Sequence, residues 1–250
     1  KNRHKILIFI LLWPFFSLGQ ETSAWLVNDV NQKIRQFHLQ NPGTSFHSGV
    51  MPYIISDSLN NALFPKTGLK ITPRFGNKKS SISIIPLVQL SGGIEISDST
   101  HFIGQLGIGL AIRGNLGKKW DYYASAYFEA LDVPFYVQDY IYTNGVVPGM
   151  GKAYGGLLTN NFSRFDGYLR FKPVKIFYIE FGLGKQFIGV GYRSLLWSDF
   201  AINSPYFKLN LNAWHLNFSA TYSYLNDYSQ NTVGTWQTAG KYIARHYISW

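Results

Sequence analysis

The 250-residue sequence has no cysteine, two methionines and only 14% charged residues. Without cysteine there are no disulfide scaffolds, thiolate zinc sites or cysteine nucleophiles. The scarcity of charge argues against an ordinary soluble globule, in which about 25% of residues are charged. Beyond the first residues there is also no apolar run near the roughly 20 residues of a spanning helix. What is plentiful is aromatic and small: 17% aromatic residues and 24 glycines within 46% hydrophobic residues. A disordered chain is excluded, because so much apolar surface has to be buried or inserted somewhere.

Lys1, Arg3, His4 and Lys5 precede the apolar run Ile6 to Phe16 and the small residues around Ser17-Leu18-Gly19. This order predicts a secretory signal peptide over 1–19, cleaved before Gln20. The formal charge of +10 then falls to +7 as Lys1, Arg3 and Lys5 leave. The sequence does not start with Met, so its beginning is expected to be incomplete. An exported chain of this composition is periplasmic, secreted or an outer-membrane barrel, and periodicity separates these options.

Residues 20–79 read as a periplasmic lead-in. Trp25, Leu26, Val30, Ile34 and Phe37 share one face of a short helix that stops at Asn41-Pro42-Gly43, and 44–79 have no sustained period. From 80 to 250 the pattern alternates. Phe102, Gly104, Leu106, Ile108, Leu110 and Ile112 fall on one face, with Ile103, Gln105, Gly107, Gly109, Ala111 and Arg113 on the other. Phe165, Leu169 and Phe171 likewise oppose Arg164, Asp166, Tyr168 and Arg170, and 206–213 and 214–224 read as a hairpin. Weaker strands are expected at 80–90, 120–130, 174–184 and 241–250. Strands near ten residues, ended by Trp120, Tyr122, Tyr123, Trp214, Tyr222 and Tyr224, fit an antiparallel transmembrane β-barrel with aromatic girdles. A soluble β-sandwich is the alternative, but its strands run to about five or six residues and its outward faces carry more charge. His246 is an awkward companion to Ile248 and Trp250 on a lipid-facing side, and 241–250 reads as an interrupted strand.

Residues 182–209 read GLGKQFIGVGYRSLLWSDFAINSPYFKL. This stretch resembles the outer-membrane proteins related to the capsule assembly protein Wzi and the gliding-motility protein RemB. The resemblance implies a Gram-negative outer-membrane barrel of roughly eighteen strands after a periplasmic helical segment, of which this chain is the N-terminal part. It also implies a role in holding surface polysaccharide at the cell, or in gliding and adhesion.

Read from the residues alone, the same stretch offers Lys185, Tyr192, Arg193, Trp197, Asp199, Asn203 and Tyr206 as candidates. Aromatic platforms beside cationic, acidic and amide groups suit sugars, whose apolar faces stack while their hydroxyls bridge polar pairs. The same side chains equally suit a structural role inside the barrel, with Arg193 and Asp199 as an ion pair. The glycines are expected to permit turns and close strand approach, since no phosphate-loop triplet follows them. No metal or cofactor is expected, because the histidines lack ligand spacing. No enzyme is expected either, as Ser194 and Ser198 lack an esterase elbow and Glu129 and Asp132 read as a strand end beside Pro134.

The expected location is the cell outer membrane, with lipid, lipopolysaccharide and surface polysaccharide as partners, gliding or secretion components as further ones, and no nucleic acid. Lys118-Lys119 beside Trp120 is a candidate for lipopolysaccharide phosphates or a plain solvated turn. A channel or porin-like transporter is the alternative function, motivated by Arg113, Arg164 and Arg170 on the polar face.

Overall fold

The structure, a computed structural model, describes residues 50–51, 69–71, 74–75, 78–96, 100–153, 160–189, 194–198, 200–227 and 239–250. The expected signal peptide and the helix within 21–40 lie outside the described residues.

Four short strands come first: β1 (Val50–Met51), β2 (Leu69–Ile71), β3 (Arg74–Phe75) and β4 (Lys78–Lys79). The long strands β5 (Ser81–Ile96), β6 (Thr100–Leu116) and β7 (Trp120–Asp132) follow. A helix, α1 (Phe135–Asn144), and the small pair β8 (Val146–Val147) and β9 (Gly151–Lys152) lead into β10 (Asn160–Val174) and β11 (Phe177–Gly184). After β12 (Phe187–Ile188) come β13 (Ser204–Ala213), β14 (Leu216–Asp227) and β15 (Ala239–Ser249). The eight long strands fall on the eight stretches where alternation predicts them. The lead-in differs from its expectation by contributing four short strands.

The main sheet is antiparallel with the order β15-β14-β13-β11-β10-β7-β6-β5-β2. Each long strand pairs with its sequence neighbours, and β2 caps the start of β5 through Leu69↔Ile84 and Ile71↔Ile82. β15 and β2 are the two edges and do not pair with each other, so the sheet is mostly antiparallel β structure without closure among the described residues.

Because side chains alternate along each strand, the sheet has two chemically different faces. One, here the outer face, leaves Leu106, Ile108, Phe128, Phe165, Leu169 and Phe181 exposed. The other, the inner face, buries Ser125, Glu129, Arg170, Glu180, Lys208 and Asn210. This is the reverse of a soluble sheet. His246 sits on the outer face between the rings of Phe218 and Tyr222, with its Nε2 3.4 Å from the Tyr222 hydroxyl.

Among the described residues, the inner face carries two small apolar cores. Ile85, Leu87, Ala111 and Tyr127 form one, with Tyr123 packed against them, so Tyr123 belongs to the interior and not to a girdle. In the other, Ile141 of α1 and Val147 meet Leu131 and Phe162 of the sheet, which fastens α1 to the inner side. The helix has no side-chain N-cap after Pro134 and ends at Gly145, φ 67°, whose N–H donates to the Ile141 carbonyl. That left-handed residue closes the helix at little cost because it lacks Cβ. Its amphipathic pattern is weak, and tertiary contacts supply what local signals do not.

The sheet also has two unlike ends. At one end the strands are joined by turns at 117–119, 175–176 and 214–215, with Trp214 at φ 56°. At the other end lie the connections 133–159, 185–203 and 228–238, and the short one at 97–99. The turn end carries Trp120 against Phe171 (centroids 4.5 Å apart) and Trp214 edge-on to Trp250 (5.2 Å). Glycine allows the close strand contacts that the sequence leads one to expect. A Cβ on Gly182 would stand 2.5 Å from Tyr206 Cζ, so the Tyr206 ring lies in the space a side chain would take.

Candidate functional site

The cross-strand register sets a line of charges opposite one another in the middle of the inner face. Arg170 of β10 faces Glu180 of β11, which faces Lys208 of β13. The Arg170 Nε and Nη2 donate to Glu180 Oε2 at 2.6 and 2.5 Å, and the Tyr206 hydroxyl donates to Glu180 Oε1 at 2.7 Å. The Arg170 guanidinium lies over the Tyr168 and Tyr178 rings, 4.7 and 5.0 Å from their centroids. Glu180 is 1% and Lys208 2% exposed. A buried carboxylate between two cations satisfies the rule that interior charges need partners. One strand further on, Asn210 and Asn217 exchange side-chain hydrogen bonds at 3.3 Å.

A second polar group lies toward the long connections. Arg164 donates to Asp166 at 3.1 Å and its guanidinium lies over the Tyr127 ring at 5.3 Å. Asn203 donates to Asp166 Oδ1 and to the Phe165 carbonyl, both at 2.7 Å. Glu129 is buried beside this group, and its Oε2 has no hydrogen-bond partner.

The 185–203 connection turns back onto the inner face. Ile188 N–H donates to the Trp197 carbonyl at 3.0 Å, and β12 pairs with β1 through Val50↔Ile188 and Met51↔Phe187. The Ser194 hydroxyl donates to the Ile188 carbonyl and accepts from the N–H groups of Leu196 and Trp197. Arg245 of β15 holds Trp197 under its guanidinium at 4.2 Å and donates to Ser223 at 2.9 Å. The Lys185 ammonium donates to the Gly149 carbonyl, tying this connection to the turn that follows β8.

The structure thus distributes the expected candidates over different tasks. Tyr206 belongs to the Glu180 cluster, Asn203 to the Asp166 group, Lys185 to the contact between two connections, and Trp197 to Arg245. Tyr192, Arg193 and Asp199 lie outside the described residues, and so does their expected ion pair. Glu180, Lys208 and Arg245 were not foreseen. The turn alone would not have found them: continued from Val174↔Phe177, the register sets Arg170 opposite Phe181, and an irregularity between Phe171 and Val174 brings it opposite Glu180.

At the same end of the sheet, the inner face and α1 border an open cavity of about 750 Å³. Tyr136 and Tyr140 of α1 and Phe200 form its aromatic side, and Ser91, Gln105 and Asp132 of the sheet are its polar groups. Asp132 is 3.3 Å from His101 Nε2. No protein-family model, curated protein or solved structure matches this chain.

Proposed function

We propose that the described sheet is part of the wall of an outer-membrane β-barrel that binds or helps to assemble surface polysaccharide, or serves gliding and adhesion at the cell surface. The observation that carries the membrane part is the reversal of faces. An exposed row such as Leu106, Ile108, Phe128 and Phe165 is stable against lipid and a liability against water. Two further features support it. Turns of two or three residues at one end and long connections at the other are the asymmetry of outer-membrane barrels. The Trp120, Trp214 and Trp250 rings at the turn end suit a membrane interface.

With β2 and the start of β5 on the periplasmic side, the turn end faces the periplasm, and α1 and the 185–203 connection, which β1 joins from within, lie toward the outward end. In that orientation Lys118 and Lys119 point away from the lipopolysaccharide leaflet, which favours their reading as a solvated turn. The polysaccharide part rests on the 182–209 resemblance and on the aromatic, amide and charged groups gathered at the outward end.

The test uses the complete gene product folded in detergent. A band shift between unheated and heated samples is the expected sign of a closed barrel, and retention of the producing cell's own capsule or exopolysaccharide is the expected sign of the surface role. Absence of the shift removes the barrel; a shift without retention removes the polysaccharide role alone. A channel is the second reading, favoured by Arg113, Arg164 and Arg170 on the inner wall. The packing of α1 and of the 185–203 connection across that wall weighs against an open path. Silent planar-bilayer recordings would exclude the channel.

A further inference from the structure

The cavity beneath α1 has a chemistry of its own. Its walls are largely apolar, from Ile103 and Leu131 on the sheet to Val137 and Met150 on the connection. Its volume lies within the roughly 300–1,000 Å³ of small-molecule sites. Among the described residues, those that line it include no lysine or arginine. The charged side chain among these described lining residues is the Asp132 carboxylate, and a second carboxylate, Glu95, stands beside the start of α1, accepting from the Phe135 N–H at 3.0 Å.

We propose that this cavity binds an uncharged, hydroxylated ring, a neutral sugar unit of a surface polysaccharide. Three ligand classes would meet these groups differently. An acidic sugar would bring its carboxylate against Asp132 and Glu95, where like charges repel, while the basic groups nearby are engaged, His101 by Asp132 and Lys185 by the Gly149 carbonyl. A purely hydrocarbon ligand would cover Ser91, Gln105 and Asp132 without returning the hydrogen bonds they lose to water. A neutral sugar meets both demands, since its apolar face stacks on Tyr136 or Tyr140 while its hydroxyls reach Gln105 and Asp132. Tyr136 is 74% and Tyr140 47% exposed, so both rings are open to an arriving ligand. The site lies apart from the 182–209 stretch except for Phe200, which connects the two.

The inference rests on the polysaccharide reading above and narrows it. Its test is equilibrium binding to the purified complete gene product in detergent. The probes are neutral hexasaccharides of glucose, galactose and mannose, a hexasaccharide of galacturonic acid, and decanol. At least one neutral probe is expected to bind, and Tyr136→Ala and Tyr140→Ala are each expected to weaken it by about tenfold, the loss of one good stacking contact. Tyr142→Ala, on the same helix but away from the cavity, is expected to leave binding unchanged. All three substitutions are at exposed positions, and an unchanged heat-dependent band shift checks that each variant folds. Preference for the galacturonate probe, binding of decanol alone, or full neutral-sugar binding by both alanine variants overturns the inference. If the cell's own polysaccharide is still retained in those cases, the surface role survives without this site. If the unmodified protein retains no carbohydrate of any kind, both fall.

Discussion

The outer and inner faces of β6, β7, β10 and β11 share one backbone and one register, yet they satisfy opposite requirements. Outside, Ile108, Phe128 and Phe165 stand beside one another, and Phe181 beside Leu169, with little to bury them. Inside, charges meet partners within the chain: Arg170 meets Glu180 and Glu180 meets Lys208 across strands, and Arg164 meets Asp166 along β10. The outer face therefore needs its surroundings for stability, whereas the inner face is stabilised by pairing within the chain. A mixed composition of 46% hydrophobic residues is the average of two segregated surfaces.

That contrast can be broken most severely inside. Glu180→Ala leaves Arg170 and Lys208 buried together without their carboxylate. Removing one partner of a buried pair costs about 3–5 kcal/mol, which denaturant unfolding of the refolded complete protein would register. A loss below about 1 kcal/mol, the worth of an exposed pair, would mean that water reaches the cluster.

The next test sets the faces against each other at neighbouring positions. Ile108→Arg places a charge on the exposed apolar row and is expected to cost about 2–4 kcal/mol in a bilayer, while Gln105→Arg on the inner face should cost less. Equal yields of folded protein from the two variants in lipid vesicles would reverse the assignment of the faces. Gly182→Val probes a close approach within the inner face, since its methyls meet the Tyr206 ring, at about 1–3 kcal/mol of overpacking. Adding Tyr206→Ala should make the valine much less costly, and a simple sum of the two losses would show that the residues do not interact.

The smallest effect is expected at Trp197→Ala, which removes the cation–π contact with Arg245, about 0.5–2 kcal/mol. It should appear as faster hydrogen exchange at the Ile188 amide with little change in global unfolding.

The eight long strands were legible because period-2 alternation is a direct consequence of side chains leaving a strand on opposite sides. The helix α1 was not. Only Ile141 of its ten residues is buried, no side chain caps its start, and Pro134 reads as the end of a strand. The site was half legible for a different reason. Residue types in 182–209 announced polar and aromatic chemistry, but their partners lie far along the chain. Asn203 finds Asp166, Tyr206 finds Glu180, and Trp197 finds Arg245. Such pairings depend on register and on how a connection folds back, which no local pattern encodes.

The pairing of Val50 with Ile188 bears on the order of assembly. Every long strand pairs with a neighbour close in sequence, so the sheet can grow hairpin by hairpin. Among the described strands, β1 must wait for a partner made 138 residues later (188 − 50), after five of the long strands have been synthesised. Its two residues act as a latch that engages once β12 has turned inward, and protection of the Val50 and Met51 amides would time the completion of this half of the fold.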